Sequence, residues 1–85
     1  MYVLLTAEIE ITIDNPITGE ALNLKDGDQI LYKNVDSIYA DASYPEVELY
    51  DVDNAIILQF NRYEFTYAVS CKEYTSFVNL ICTVE

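Results

Sequence analysis

Residues 46–60 read EVELYDVDNAIILQF, and this alternation of apolar and polar residues on both sides of an Asp-Asn pair predicts a β-hairpin. A two-residue loop at Asp53-Asn54 gives four facing pairs: Leu49 with Leu58, Val47 with Phe60, Glu48 with Gln59, and Tyr50 with Ile57. One side of the hairpin is then apolar and the other acidic and polar. Because a slip of one residue would exchange the two sides, this pattern fixes the register.

Length and composition indicate a single small domain. The 85 residues lie near the lower end of the sizes that fold without disulfides or metals. A hydrophobic content of 52% is enough for a packed core, despite a net charge of −11. The first ten residues lack a basic segment and reach Glu8 too soon for a signal peptide or a membrane span. We therefore expect one soluble, cytoplasmic domain over residues 1–85, with no membrane partner.

Cys71 and Cys82 are the only cysteines, too few for a disulfide-rich secreted domain. A bridge between them stays open, but two buried free thiols in a reducing compartment are favoured. A zinc site would have to recruit carboxylates, because the chain has no His. The sequence indicates no metal and no cofactor.

The N-terminal half predicts four strands. An unbroken period-two pattern over residues 1–14 predicts one long strand. Residues 21–25 and 29–33 read as two strands joined by Asp26-Gly27, a strong hairpin signal. A further short strand is predicted around residues 37–42.

After Phe60 the apolar residues change from even to odd positions, which predicts a reversal at Asn61-Arg62. The reversal would place Leu58 opposite Phe65 and complete a three-stranded meander. Residues 70–75 fit a capping box with a helical turn near 72–75, and residues 77–84 fit a final strand. The fold class is therefore all-β, a small antiparallel meander, sheet or barrel of about six or seven strands. An α+β fold with one short C-terminal helix is the alternative.

No catalytic motif is present. Carboxylate pairs such as Glu46 with Glu48 or Glu8 with Glu10 would share water on an exposed strand, and nothing would separate their pKa values. Without His, no conventional triad can activate a Ser or Cys nucleophile. The acidic groups at residues 26–28 and 51–54 are better explained as turns than as calcium loops. We expect no enzymatic activity.

The charge distribution is the informative feature. No Lys or Arg occurs in residues 1–24 or 34–61, so direct nucleic-acid binding is disfavoured and a basic protein partner is favoured. Carboxylates two apart on a strand lie about 6–7 Å apart, not far from the spacing of successive phosphates. Tyr side chains beside them would anchor an interface. The candidate partner-binding residues are Glu8, Glu10, Asp36, Tyr39, Asp41, Tyr44, Glu46, Glu48, Tyr50, Asp51 and Asp53.

In length, charge and Tyr content the chain is similar to small acidic inhibitors that phages make against host nucleases, CRISPR effectors or restriction enzymes. This resemblance implies a nucleic-acid mimic that blocks a basic nucleic-acid-binding enzyme or complex in the host cytosol. The simplest alternative is that the acids only keep a small β-domain soluble. Two other classes stay open. One is a homo-oligomeric assembly protein of phage or bacterial origin, for instance a homodimer joined through the exposed Tyr50 and Ile57 pair and the apolar C-terminal strand. The other is a small ligand-binding or enzymatic β-barrel.

Overall fold

The computed structural model describes residues 1–85 and contains nine strands and no helix. The strands are β1 (Tyr2–Ala7), β2 (Ile11–Asp14), β3 (Ala21–Leu24), β4 (Gln29–Tyr32), β5 (Ser37–Ala40), β6 (Glu46–Tyr50), β7 (Ile56–Asn61), β8 (Phe65–Ser70) and β9 (Leu80–Val84). The prediction of an all-β fold is confirmed. The strand count is higher than the predicted six or seven, because the chain is divided into short strands.

The strands form three sheets. One has four strands in the order β8-β1-β4-β9, one pairs β2 with β3, and one has the order β5-β6-β7. Every pair is antiparallel except β4 and β9, which run parallel. Since β8 and β9 lie at opposite edges of the four-stranded sheet, residues 71–79 carry the chain from one edge to the other.

All three sheets contribute to one hydrophobic core. Val3 and Leu5 come from the four-stranded sheet, Leu24 from the two-stranded sheet, and Val47 and Leu49 from the three-stranded sheet. Each of these side chains is at most 1% exposed. The side chains that alternate with them on β6 therefore point away from the core, which positions the candidate site.

The hairpin register is confirmed along most of its length. Val47 pairs with Phe60, Leu49 with Leu58, and Glu48 with Gln59.

The prediction for the end of this hairpin is wrong. The loop has three residues rather than two, because the Asp51 amide donates to the Ala55 carbonyl at 2.9 Å. A bulge then places Tyr50 opposite Ile56, and Ile57 becomes the additional residue on β7. As a result Ile57 packs against the core, whereas Ile56 is 51% exposed. The predicted outward pair of Tyr50 and Ile57 does not form.

Residues 1–14 do not form one long strand. β1 ends at Ala7 and β2 begins at Ile11 in a different sheet. Residues 8–10 make this corner, with Ile9 exposed. The period-two pattern continues across the corner because both strands face the same core, so the pattern could not reveal it.

Two further pairings also differ from the sequence prediction. The chain does turn at Asp26-Gly27, with Gly27 at φ 94°, but β3 pairs with β2 and β4 pairs with β1. The chain also turns after Asn61, yet β8 joins β1 instead of continuing the meander beside β7. In both places the sequence predicts the turn correctly but the partner strand incorrectly.

The C-terminal region is a loop followed by a strand. The predicted helical turn near residues 72–75 is absent, because the Ser70 hydroxyl accepts a hydrogen bond from the Lys72 amide and donates to the Lys72 carbonyl. The predicted final strand is confirmed as β9. Both cysteines are free, but neither is buried as predicted, since Cys71 is exposed and Cys82 is half-buried.

Candidate partner-binding face

Four of the candidate residues lie together on the outer side of the three-stranded sheet. Glu46, Glu48 and Tyr50 alternate along β6 with core residues, and Tyr39 on β5 pairs with Glu48. We call Tyr39, Glu46, Glu48 and Tyr50 the tyrosine–carboxylate face. Directly opposed side chains in such a ladder are about 4.5–5.5 Å apart at Cβ, so this arrangement clusters two phenols and two carboxylates.

Glu48 is the centre of this face. Tyr39 and Gln59 flank it on the two neighbouring strands. Desolvation raises the pKa of Tyr50, and the neighbouring Glu48 and, to a lesser degree, Tyr39 raise it further. These groups therefore act on one another electrostatically.

No cationic side chain forms a salt bridge with the tyrosine–carboxylate face. Both salt bridges of the protein are made by Lys33, to Glu73 at 3.1 Å and to Glu85 at 3.7 Å. Glu46 and Glu48 therefore form no ion pair within the chain.

Asp41 and Tyr44 flank one end of the face. The Asp41 carboxylate accepts a hydrogen bond from the Ser43 amide at 2.8 Å, and its carbonyl accepts one from Arg62 at 2.7 Å. The Asp41 carboxylate is thus occupied in shaping the turn. Tyr44 is 60% exposed and free to contact another molecule.

The acids at the other end of the sheet have different surroundings. The Asp51 carboxylate accepts from the Asp53 and Ala55 amides at 2.9 and 3.0 Å, so it holds the hairpin loop. Asp36 and Asp51 line a shallow cleft of about 360 Å³ together with Lys33. Asp53 is exposed in the loop. This end of the sheet therefore combines carboxylates with a cation.

Glu8 and Glu10 are not part of this site. They lie in the corner between β1 and β2, outside any strand, so the predicted row at strand spacing does not form there. Both are exposed.

Sequence reasoning missed a cavity of about 430 Å³ beside the face. Its mouth includes Asp14 and Glu64, and Glu46 belongs both to this mouth and to the tyrosine–carboxylate face. Asp14 follows the period-two pattern of β2 and could be assigned from the sequence to the outer side of a strand. Its proximity to β7 could not be predicted, because the two strands lie in different sheets.

One carboxylate is buried, and it has a structural role. Asp28 is 8% exposed and accepts hydrogen bonds from the Lys25 amide at 2.9 Å and from the Asn79 side-chain amide. It ties the turn before β4 to the segment before β9. Its hydrogen bonds are those of a turn-stabilising group.

No group of three or more Cys, Asp or Glu side chains is placed to hold a metal ion. The structure contains no membrane-spanning helix.

Comparison of the chain with protein-family models, with curated proteins and with solved structures finds no match.

Proposed function

We propose that this chain is a small acidic interaction module that inhibits a basic nucleic-acid-binding protein by covering its nucleic-acid site. The observation that carries the proposal is the tyrosine–carboxylate face. Its two carboxylates have no cationic partner, and Tyr39 and Tyr50 lie beside them on the same side of a sheet. Unpaired negative charge flanked by Tyr is the chemistry that a phosphate-binding surface of Lys and Arg would recognise.

The mechanism is competitive occlusion and involves no covalent step. A net charge of −11 speeds the encounter with a cationic surface. The tyrosines then set the dissociation rate, because desolvated aromatic contacts carry much of the energy of an interface. In the cytosol, targets of this kind include the CRISPR effectors, restriction enzymes and nucleases that phage inhibitors block.

Charge reversal on the face tests this function. The double variant Glu46→Lys, Glu48→Lys and the wild type are immobilised and used to capture proteins from a bacterial lysate. Wild type should retain basic nucleic-acid-binding proteins that salt or duplex DNA elutes, and the variant should lose them. Glu20→Lys with Asp26→Lys changes the net charge equally at exposed turn positions and serves as the control.

Equal loss in both double variants would show that only net charge matters. If the wild type and the Glu46→Lys, Glu48→Lys variant captured the same proteins, the tyrosine–carboxylate face would be excluded as the binding surface.

A second candidate function is assembly with copies of the same chain, and the edge strand β8 favours it. Its sequence, FTYAVS, carries no charge, and Tyr67 and Val69 are exposed. Uncharged edge strands of this length pair readily with another strand. An assembly protein should sediment as an oligomer whose size is independent of salt. Val69→Lys should then convert that oligomer to a monomer.

A further inference from the structure

Two strands that each have an open edge, β2 and β7, both line the cavity. β2 is hydrogen bonded only to β3, and β7 only to β6, so each has one side without a partner strand. Ile11 and Ile13 of β2 line the cavity, and so do four consecutive residues of β7, Leu58 to Asn61. Side chains of consecutive strand residues point to opposite faces of the sheet. Because all four β7 residues line the cavity, we infer that the backbone edge of β7 forms this wall.

The cavity has an apolar floor and an acidic mouth. The floor of this gap between β2 and β7 includes Leu5, Ile30 and Phe65 of the four-stranded sheet. Asp14, Glu46 and Glu64 lie among the lining residues, and none of these carboxylates forms a salt bridge. No Lys or Arg lines the cavity.

We propose that an extended segment of the basic partner inserts between β2 and β7 as an additional strand and joins the two smaller sheets into one. This inference rests on the proposed function and adds the recognition mode, which is strand addition to an open edge. The cavity between the two strands has a volume of about 430 Å³.

The surroundings of the gap specify the sequence of that segment. Side chains pointing inward would meet the apolar floor, so they should be aliphatic or aromatic. Side chains pointing outward would lie beside Asp14 and Glu46, which are both exposed, so they should be Lys or Arg. Because strand side chains alternate, the segment should alternate apolar and basic residues.

Capped synthetic peptides test the inference on the whole protein. The probe is KVKVKVK, the same-composition control is KKVVVKK, and EVEVEVE reverses the charge. Calorimetric titration should show that KVKVKVK binds at least about tenfold more tightly than KKVVVKK, since only the alternating order places all apolar side chains on one side. EVEVEVE should not bind.

Hydrogen exchange gives the location. Bound KVKVKVK should slow exchange of amides in β2 and β7 and leave β5 unchanged, because added strand hydrogen bonds protect only the two open edges. Asp14→Asn with Glu64→Gln should weaken binding by about tenfold through loss of two charges at the mouth. Glu48→Gln should have little effect, since Glu48 does not line the cavity.

The possible outcomes separate this inference from the proposed function. If both basic peptides bind equally and weaken with Glu48→Gln, the tyrosine–carboxylate face binds cations and strand insertion is wrong. If KVKVKVK protects the two edges but the lysate experiment fails, the gap is a peptide site and the inhibitor proposal is wrong. If the two edges are protected in the absence of peptide and this protection disappears on dilution, a second copy of the chain fills the cavity. That result would overturn the inference.

Discussion

Phe60 of β7 packs edge-to-face on Phe65 of β8, with ring centroids 6.0 Å apart and planes at 78°. The two strands belong to different sheets, so the contact joins the three-stranded sheet to the four-stranded one. Tyr67 makes a second edge-to-face contact with Phe60 at 5.7 Å. Phe60 is therefore the aromatic link between the layers, at the wall of the cavity.

Removing this link should destabilise the protein strongly. Phe60 is buried, and we expect Phe60→Ala to lower the free energy of unfolding by about 3–4 kcal/mol. That is a large share of the total stability of a small domain. Urea denaturation measures the change. Tyr63→Ala, at a side chain 75% exposed in the turn after β7, should change stability by less than about 0.5 kcal/mol. Similar losses in both variants would contradict the assigned role of Phe60.

Local pairings could be predicted from the sequence because they depend on residues close in the chain. The pairs of Val47 with Phe60 and Leu49 with Leu58 follow from one turn and one alternation. The neighbour of β8 could not be predicted in this way. Alternation shows which side of a strand is buried, and it is equally satisfied whether Phe65 packs beside β7 or across the core from it.

The candidate site likewise combines features that local sequence predicts with features that depend on the arrangement of the sheets. Glu46, Glu48 and Tyr50 are on one side because of their positions in a single strand, and Tyr39 joins them through the adjacent hairpin. The acidic mouth of the cavity depends on how separate sheets are arranged, and no local pattern encodes that arrangement.

The hairpin loop depends on one residue in the left-handed region. Asn54 has φ 62°, a conformation that Gly adopts freely and Asn tolerates. Asn54→Gly should leave stability within about 0.5 kcal/mol of wild type, and Asn54→Val should lower it by about 1–2 kcal/mol. Thermal denaturation of both variants measures this. An equal effect of Gly and Val would show that the conformation of Asn54 does not limit stability.

Tyr32 should make stability depend on alkaline pH. Burial, and to a lesser degree the charge of Cys82, raises the pKa of Tyr32 from 10.0 to about 12. Between these values the unfolded chain releases the phenol proton and the folded protein keeps it, so the free energy of unfolding falls as pH rises. The loss should reach about 2 kcal/mol near the top of the window.

Tyr32→Phe removes the titrating group and provides the comparison. The variant should match wild type at pH 7, since burial and the Cys82 charge, not a hydrogen bond, account for the shift. It should lose less stability than wild type between pH 10 and 12 in denaturant titrations. Parallel curves for the two proteins would contradict this assignment.

The two thiols should differ in reactivity. Cys71 is exposed, whereas Cys82 is half-buried and desolvation raises its pKa. Because the thiolate is the reactive form, Cys82 should react at least about tenfold more slowly with an aromatic disulfide reagent at pH 8. Cys71→Ser should leave only the slow phase, and unfolding in urea should make the remaining thiol fast. A single fast phase for both thiols in the folded protein would be inconsistent with the burial of Cys82.

The tyrosine–carboxylate face can be tested without a partner, through the titration of Tyr50. Desolvation is the main reason why the pKa of Tyr50 is raised, and the neighbouring negative charge of Glu48 raises it further. Glu48→Gln removes the charge, so the pKa of Tyr50 should fall while staying above its ordinary value. Glu46→Gln is the matched control, because Glu46 lies on the same strand and does not contribute to the shift. NMR of ring-labelled tyrosine, assigned with Tyr50→Phe, measures both variants. If Glu46→Gln lowered the pKa as much as Glu48→Gln, the general negative field would be responsible rather than the contact between Glu48 and Tyr50.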